Sequence, residues 1–135
     1  MTASRYMLDT NIVSDLIRNP AGKAARKIRK LGADGLCISI VTAAELRFGA
    51  AKRGSARLTE RVEQLLDEIE VLPLAVPADG IYARIRNELE KVGQPIGPND
   101  LLIAAHASCA GAILVTANAK EFKRVNGLKV ENWLA

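Results

Sequence analysis

The sequence predicts an α/β fold: a three-layer α/β/α sandwich on a parallel sheet of four to five strands. Two observations carry that expectation. The chain has 135 residues, 49% hydrophobic and 25% charged, which suits one domain (1–135) with its own core and excludes a disordered chain. Short apolar runs of strand length alternate with longer segments of helical periodicity, the pattern of parallel strands joined by crossover helices.

Arg5 to Asp9 reads as a short strand ending in an acid. Asn11 to Arg18 carries Ile12, Val13, Leu16 and Ile17 on one helical face. Asn19-Pro20-Ala21-Gly22 breaks that helix, because Asn-Pro and Gly form turns. Lys23 to Leu31 is a basic helix closed by Gly32, and Leu36 to Ser39 is a buried strand. Thr42 to Lys52 is helical, with Ala43, Ala44, Leu46 and Phe48 apolar. Thr59 to Glu70 sets Val62, Leu65, Leu66 and Ile69 on one face. Val71 to Leu74 is a strand, and Pro73 places it at a sheet edge. A helix with Ile81, Ile85, Leu89 and Val92 in one stripe follows, then a Gly/Pro-rich loop from Gly93 to Pro98. Asn99 to Ala110 is almost wholly apolar, hence a buried helix. Ile113 to Thr116 is a strand, and Lys129 to Trp133 supplies a last edge strand.

Charge is unevenly spread. Residues 1–59 hold 11 basic and 4 acidic side chains, and residues 60–135 hold 8 and 11. Six of the positives (Arg18, Lys23, Arg26, Lys27, Arg29, Lys30) lie between Asp15 and Asp34 with no acid among them. Such a patch suits a polyanion, or is a solvated helix face. Aromatic residues make up only 4%, too few for a base-stacking platform, so a nucleic acid would be held by phosphate and shape. No apolar run reaches the roughly 18–20 residues that span a bilayer. Met1 to Leu8 is too short for a secretion leader, so the expected location is the cytoplasm. Cys37 and Cys109 read as buried reduced thiols, and with His106 they are too few and too scattered for a zinc site.

Ligands of open α/β sheets bind beyond the carboxyl ends of the strands. Asp9 ends the first strand. Glu45 and Asp100 each fall in the first turn of a helix near that edge, and Thr116, Asn118 and Glu121 follow the fourth strand. Each acid has a plainer reading. Asp9 caps a helix, Thr42-x-x-Glu45 forms a capping box, and Asp100 sits on a helix dipole. Together they are costly unless a divalent cation neutralises them. Mg²⁺ and Mn²⁺ prefer oxygen ligands, and such an ion activates water and stabilises the leaving oxyanion of a phosphodiester.

Five blocks carry a family likeness. They are Tyr6–Ser14, Cys37–Ala51, Gly93–Ala107, Ile113–Phe122 and Val125–Trp133. Through them the chain resembles PIN-domain ribonucleases, and among these the VapC toxins of bacterial toxin–antitoxin pairs. The resemblance implies a PIN-like fold and Mg²⁺-dependent cleavage of RNA, with Mn²⁺ able to substitute. Asp9, Glu45 and Asp100 match the family's first three acids. A fourth acid is often found where this chain has Asn118, and Glu121 matches the acid that some members carry instead. The resemblance also implies a VapB-like antitoxin whose C-terminal segment covers the acidic groove, a homodimer, and no membrane. Pro95–Pro98 and Asn118–Glu121 look most like members that cut the anticodon stem-loop of initiator tRNA.

The expected roles follow. Asp9 and Asp100 hold the metal; Glu45 ligates it or orients water; Glu121 completes the catalytic set. Asn11, Thr116 and Asn118 support the carboxylates by hydrogen bonds. Arg18, Lys23, Arg26, Lys27 and Lys30 contact RNA phosphates. Ser14, Ser39 and Cys109 lack a positioned histidine, and His106, off the helical face of Asp100, is a packed residue. The competing reading is a catalytically weak RNA-binding module of the same fold, for which Asn118 leaves room. An aspartyl phosphotransferase is disfavoured, because Asn11 stands where its second acid would be.

Overall fold

A computed structural model describes residues 4–135. Met1 to Ala3, where the segment read as too short for a leader begins, lie outside the described residues. Five strands form one parallel sheet: β1 (Tyr6–Leu8), β2 (Leu36–Ser39), β3 (Glu70–Leu72), β4 (Ile113–Val115) and β5 (Val130–Glu131). Their order is β3-β2-β1-β4-β5, so the strand carrying Pro73 at its exit is an edge, and so is β5. Between them run α1 (Thr10–Arg18), α2 (Lys23–Leu31), α3 (Ile40–Arg53), α4 (Ala56–Glu68), α5 (Ala78–Lys91), α6 (Pro98–Ala110) and α7 (Ala119–Phe122).

The three-layer architecture follows from strand alternation. Met7, Cys37 and Leu114 face one side, where they meet Ile85 and Leu89 of α5, Ile103 of α6 and Phe122 of α7. Leu8, Ile38 and Val115 face the other, against Ile12 and Val13 of α1, Leu46 of α3 and Val62 and Leu66 of α4. Each side chain so buried contributes roughly 1.5–3 kcal/mol of transfer free energy. The register is tight, with Met7 opposite both Cys37 and Leu114.

Winding outward through β2 and β3, then back across to β4 and β5, makes the gap between β1 and β4 the point where strand order reverses. In such sheets that gap is the crevice where ligands sit. Asp9 and Thr116 leave the sheet on its two sides. The Asp9 amide donates to the Val115 carbonyl at 3.0 Å, which ties the two exits together.

Several helices start earlier than the apolar periodicity suggested, and hydroxyl caps explain it. Ser39 caps α3 by accepting from the Val41 amide at 3.1 Å, so the helix begins at Ile40 rather than Thr42. The capping box Thr42-x-x-Glu45 is therefore not formed. Thr42 is fully buried and its hydroxyl finds no partner. Ser55 accepts from the Leu58 amide at 3.1 Å and starts α4 at Ala56 instead of Thr59. Pro98 opens α6 at the position where proline's missing N–H costs nothing. Gly111 closes it with φ +64°, a conformation glycine adopts without strain. Among the described residues no helix is long and apolar enough to cross a membrane.

Candidate active site

Asp9 is 4% exposed and begins α1 as its N-cap, its Oδ1 accepting from the Ile12 amide at 3.0 Å. The capping role is real, and it occupies one oxygen. Burial pushes the Asp9 carboxyl above its ordinary range. The Thr116 hydroxyl and the Ile12 and Asn11 amides pull it back, while the Glu45 charge adds to the rise. Thr116 itself is fully buried, and its hydroxyl also accepts from the Asn118 amide at 2.9 Å. Asn118 is exposed, as is Asn11.

Glu45 reaches the same rim from the second turn of α3. Its Oε1 accepts from the Thr10 hydroxyl at 2.6 Å and its Oε2 from the Asn99 amide at 3.2 Å. These partners come from α1 and α6, so one carboxylate ties three helices at their active-site ends. Each oxygen keeps a second lone pair for another donor. Neither Thr10 nor Asn99 stood out in the sequence as a partner of Glu45. The available signal was adjacency, since Thr10 follows Asp9 and Asn99 precedes Asp100.

Asp100 lies in the first turn of α6. Its carboxyl is also held above the ordinary range, first by burial and then by the charges of Glu121, Asp9 and Glu45. The charges of Asp9 at the end of β1, Glu45 on α3 and Glu121 on α7 thus all bear on Asp100. Among the described residues, the ion pairs join Arg5 with Glu70, Arg47 with Glu63, Arg84 with Glu88 and Arg86 with Glu90; none involves the four.

Among the described residues no three His, Cys, Asp or Glu side chains stand close enough to enclose an ion. The donor set nonetheless fits Mg²⁺ or Mn²⁺. It is all oxygen and, among the described residues, has no cationic partner in an ion pair, and Mg²⁺ characteristically uses one or two carboxylates and keeps several waters.

The basic residues divide by position. Arg18 sits on a groove of about 270 Å³ between α1, α3 and α4 that has Thr10 and Glu45 at one end and Arg53 on its rim. Ile17, Leu46, Leu58 and Val62 form its apolar walls. Lys23, Arg26, Lys27 and Lys30 are exposed along α2, whose inner face is Ala24 and Ala25. Arg29 is tied back to the Pro20 carbonyl at 3.2 Å.

One reading needs correction. Ser39 does have a positioned histidine: His106 Nδ1 is 2.7 Å from its Oγ. Ser39 is fully buried and His106 4% exposed, so the pair meets no substrate and is not a nucleophile with its base. Burial lowers the His106 pKa. Cys37 is a buried free thiol, as expected, whereas Cys109 is only partly buried.

Comparison with known proteins adds to this geometry. The PIN domain family profile matches residues 6–128. A tRNA(fMet)-specific endonuclease VapC of Shigella flexneri is 39% identical over 133 residues, covering 96% of this chain and 98% of the relative. Ribonuclease VapC2 of Haemophilus influenzae is 40% identical over 135 residues, with the same coverage. A solved structure of VapBC2 from Rickettsia felis, bound to a DNA fragment from their promoter, superposes with TM-score 0.88 at 35% identity. It covers 95% of this chain and 98% of that one.

Proposed function

The chain belongs to the PIN-domain family as a VapC-type ribonuclease toxin, and we propose that it cuts RNA by hydrolysis with Mg²⁺ or Mn²⁺ held at Asp9 and Asp100. The observation that carries the site assignment is that Glu45 bonds Thr10 and Asn99, the chain neighbours of Asp9 and Asp100, which gathers the acids at one rim. Burial and then the charges of Glu121, Asp9 and Glu45 push the Asp100 carboxyl up, and among the described residues no basic side chain pairs with any of the four. Evolution has little reason to crowd unpaired acids at a ligand crevice except to bind a cation.

When bound, the ion supplies an activated water and stabilises charge on the leaving oxygen. Asp9, whose Oδ1 is held by its cap bond, would offer Oδ2 to the ion, and Asp100 would join it from the first turn of α6. Glu45, clamped by Thr10 and Asn99, would take a proton from the attacking water as the water oxygen bonds to phosphorus. The bond from phosphorus to the leaving ribose oxygen breaks, and that oxygen takes a proton from solvent. Glu121 adds negative potential beside Asp100 and raises the local cation concentration. Asn11 and Asn118 stand at the exposed rim, where they hydrogen-bond solvent around the cation. Arg18 and the α2 side chains Lys23, Arg26, Lys27 and Lys30 hold phosphates on either side of the cut.

The substrate proposed is the anticodon stem-loop of initiator tRNA. The similar Shigella flexneri relative, named for tRNA(fMet), supports that reading. The regulator proposed is a VapB-like antitoxin whose C-terminal segment lies in the α1–α3–α4 groove. The groove is apolar along its walls, basic at Arg18 and Arg53, and acidic at Glu45, so it suits a segment with apolar side chains and one cation. The VapBC2 complex of the similar solved structure supports such a partner. We place the protein in the bacterial cytoplasm as a homodimer within a larger toxin–antitoxin assembly.

The test is cleavage of synthetic initiator and elongator tRNAs by purified protein. Cutting confined to the initiator anticodon loop is expected. Equal cutting of both overturns the substrate. No cutting of any RNA in Mg²⁺ or Mn²⁺ favours the binding-module reading.

A further inference from the structure

We propose that His106 is a positioning residue for the active site: from the core it holds α6 against the start of α3 and so fixes Asp100 relative to Glu45. The inference rests on the assignment of those two acids above.

The geometry is a buried relay. His106 lies on α6, six residues and roughly 9 Å of helix beyond Asp100. Its Nδ1 is 2.7 Å from Ser39 Oγ. Ser39 Oγ accepts from the Val41 amide at 3.1 Å, which is the cap of α3, so its own hydroxyl proton is free to be donated to Nδ1. One hydroxyl thus links the histidine of α6 to the first turn of α3, and both polar groups are satisfied by the bond, as a buried polar network requires.

The relay matters because of where its ends lie. Ser39 closes β2 and opens the helix that carries Glu45. His106 belongs to the helix that carries Asp100. At the rim a second bond, Asn99 to Glu45, joins α6 to α3. Asn99 and His106 are seven residues apart, about 10 Å along the axis. Packing of Leu101, Ile103 and Ala104 holds α6 in the core, and two polar bonds that far apart set its tilt against α3 more closely than one would. A change of well under 1 Å between carboxylates that share an ion is enough to weaken it. An apolar side chain would fill the His106 volume equally well, so a histidine at this depth calls for a role that packing alone does not supply.

His106→Phe, His106→Gln and Ser39→Ala test the role, with Mn²⁺ affinity measured by calorimetry on the full chain and RNA cleavage followed beside it. His106→Phe is expected to weaken Mn²⁺ binding by about tenfold, the low end for groups that orient metal ligands. Its kcat at fixed Mn²⁺ should fall while KM for RNA stays put. His106→Gln, whose amide both donates and accepts, should recover part of the loss. Ser39→Ala, which also removes the α3 cap, should lose at least as much, and adding His106→Phe to it should cost nothing further, as expected for two ends of one bond. The chain has one histidine, so its ring nitrogens give a single set of NMR signals, expected to show Nδ1 unprotonated. Folded variants that melt lower but bind Mn²⁺ like wild type overturn the proposal. Should His106→Phe not fold, wild-type affinity in both His106→Gln and Ser39→Ala overturns it equally. Wild type that neither binds Mn²⁺ nor cuts RNA overturns the assignment of the acids, and the positioning role with it.

Discussion

The Thr10 hydroxyl donates to Glu45 Oε1 at 2.6 Å, so the residue that follows the β1 acid holds the carboxylate of α3 in place. A charge-assisted bond of that length fixes one rotamer of a side chain that otherwise has several. Thr10→Ala should leave the fold intact and lower kcat by about tenfold, since one lost bond to a charged group is worth about that in rate. Steady-state cleavage of an RNA stem-loop checks it; KM should not change. A variant with wild-type kcat shows that Glu45 needs no such clamp.

Asp100 is destabilised as an anion by burial and by three neighbouring acids. Asp100→Asn should therefore raise the melting temperature of the metal-free protein by about 2–4 °C. The same substitution should abolish the rise that Mg²⁺ causes in wild type. Differential scanning calorimetry with and without Mg²⁺ reads both effects. A variant that melts lower and still responds to Mg²⁺ makes Asp100 a helix-terminus residue and nothing more.

The pH dependence has a definite sign. Asp9 and Asp100 both have folded pKa values above the ordinary carboxylate value. Their protonated forms favour the folded state, fully so below the unfolded pKa of about 3.9. That contribution is lost as pH rises through the raised folded values. In the metal-free protein, these two groups therefore oppose stability at neutral pH. Metal reverses the effect, because it binds the ionised forms. The Mg²⁺-induced rise in melting temperature should therefore shrink as pH falls through the raised folded values. A shift that does not vary with pH would place the ion elsewhere.

Lys27 and Lys30 lie exposed on α2, a helix that carries none of the four acids. Replacing both by alanine should raise KM for RNA without lowering kcat. The slope of log affinity against log salt should fall by about 0.7–0.9 for each phosphate contact removed. Filter binding over a salt series measures it. An unchanged slope would make α2 a solvated face.

Much of this was legible in the sequence because the determinants are local. The strands and long helices fall in the expected order, since each strand is a short apolar run and most long helices show a periodic apolar face, with α6 marked instead by its unbroken apolar length. The positions of Asp9, Glu45 and Asp100 at one edge follow from that order and the parallel sheet. Less legible were contacts between residues far apart in the chain. Thr10 meets Glu45 across 35 residues, Asn99 meets Glu45 across 54, and His106 meets Ser39 across 67. Periodicity says that a helix buries a face; it does not say which polar atom on that face finds a partner. The start of α3 was misplaced for the same kind of reason. Ser39 and Thr42 both suit a cap, and only the packing that buries Thr42 decides between them.

The most direct measurement is end-mapped cleavage of total RNA by antitoxin-free protein. Wild type and Asp100→Asn are each assayed in Mg²⁺ and in EDTA. Discrete cuts made by wild type in Mg²⁺ alone, at an anticodon loop, are the expected result. Cleavage that persists in EDTA, or in the folded Asp100→Asn variant, would contradict a metal-dependent nuclease built on these acids.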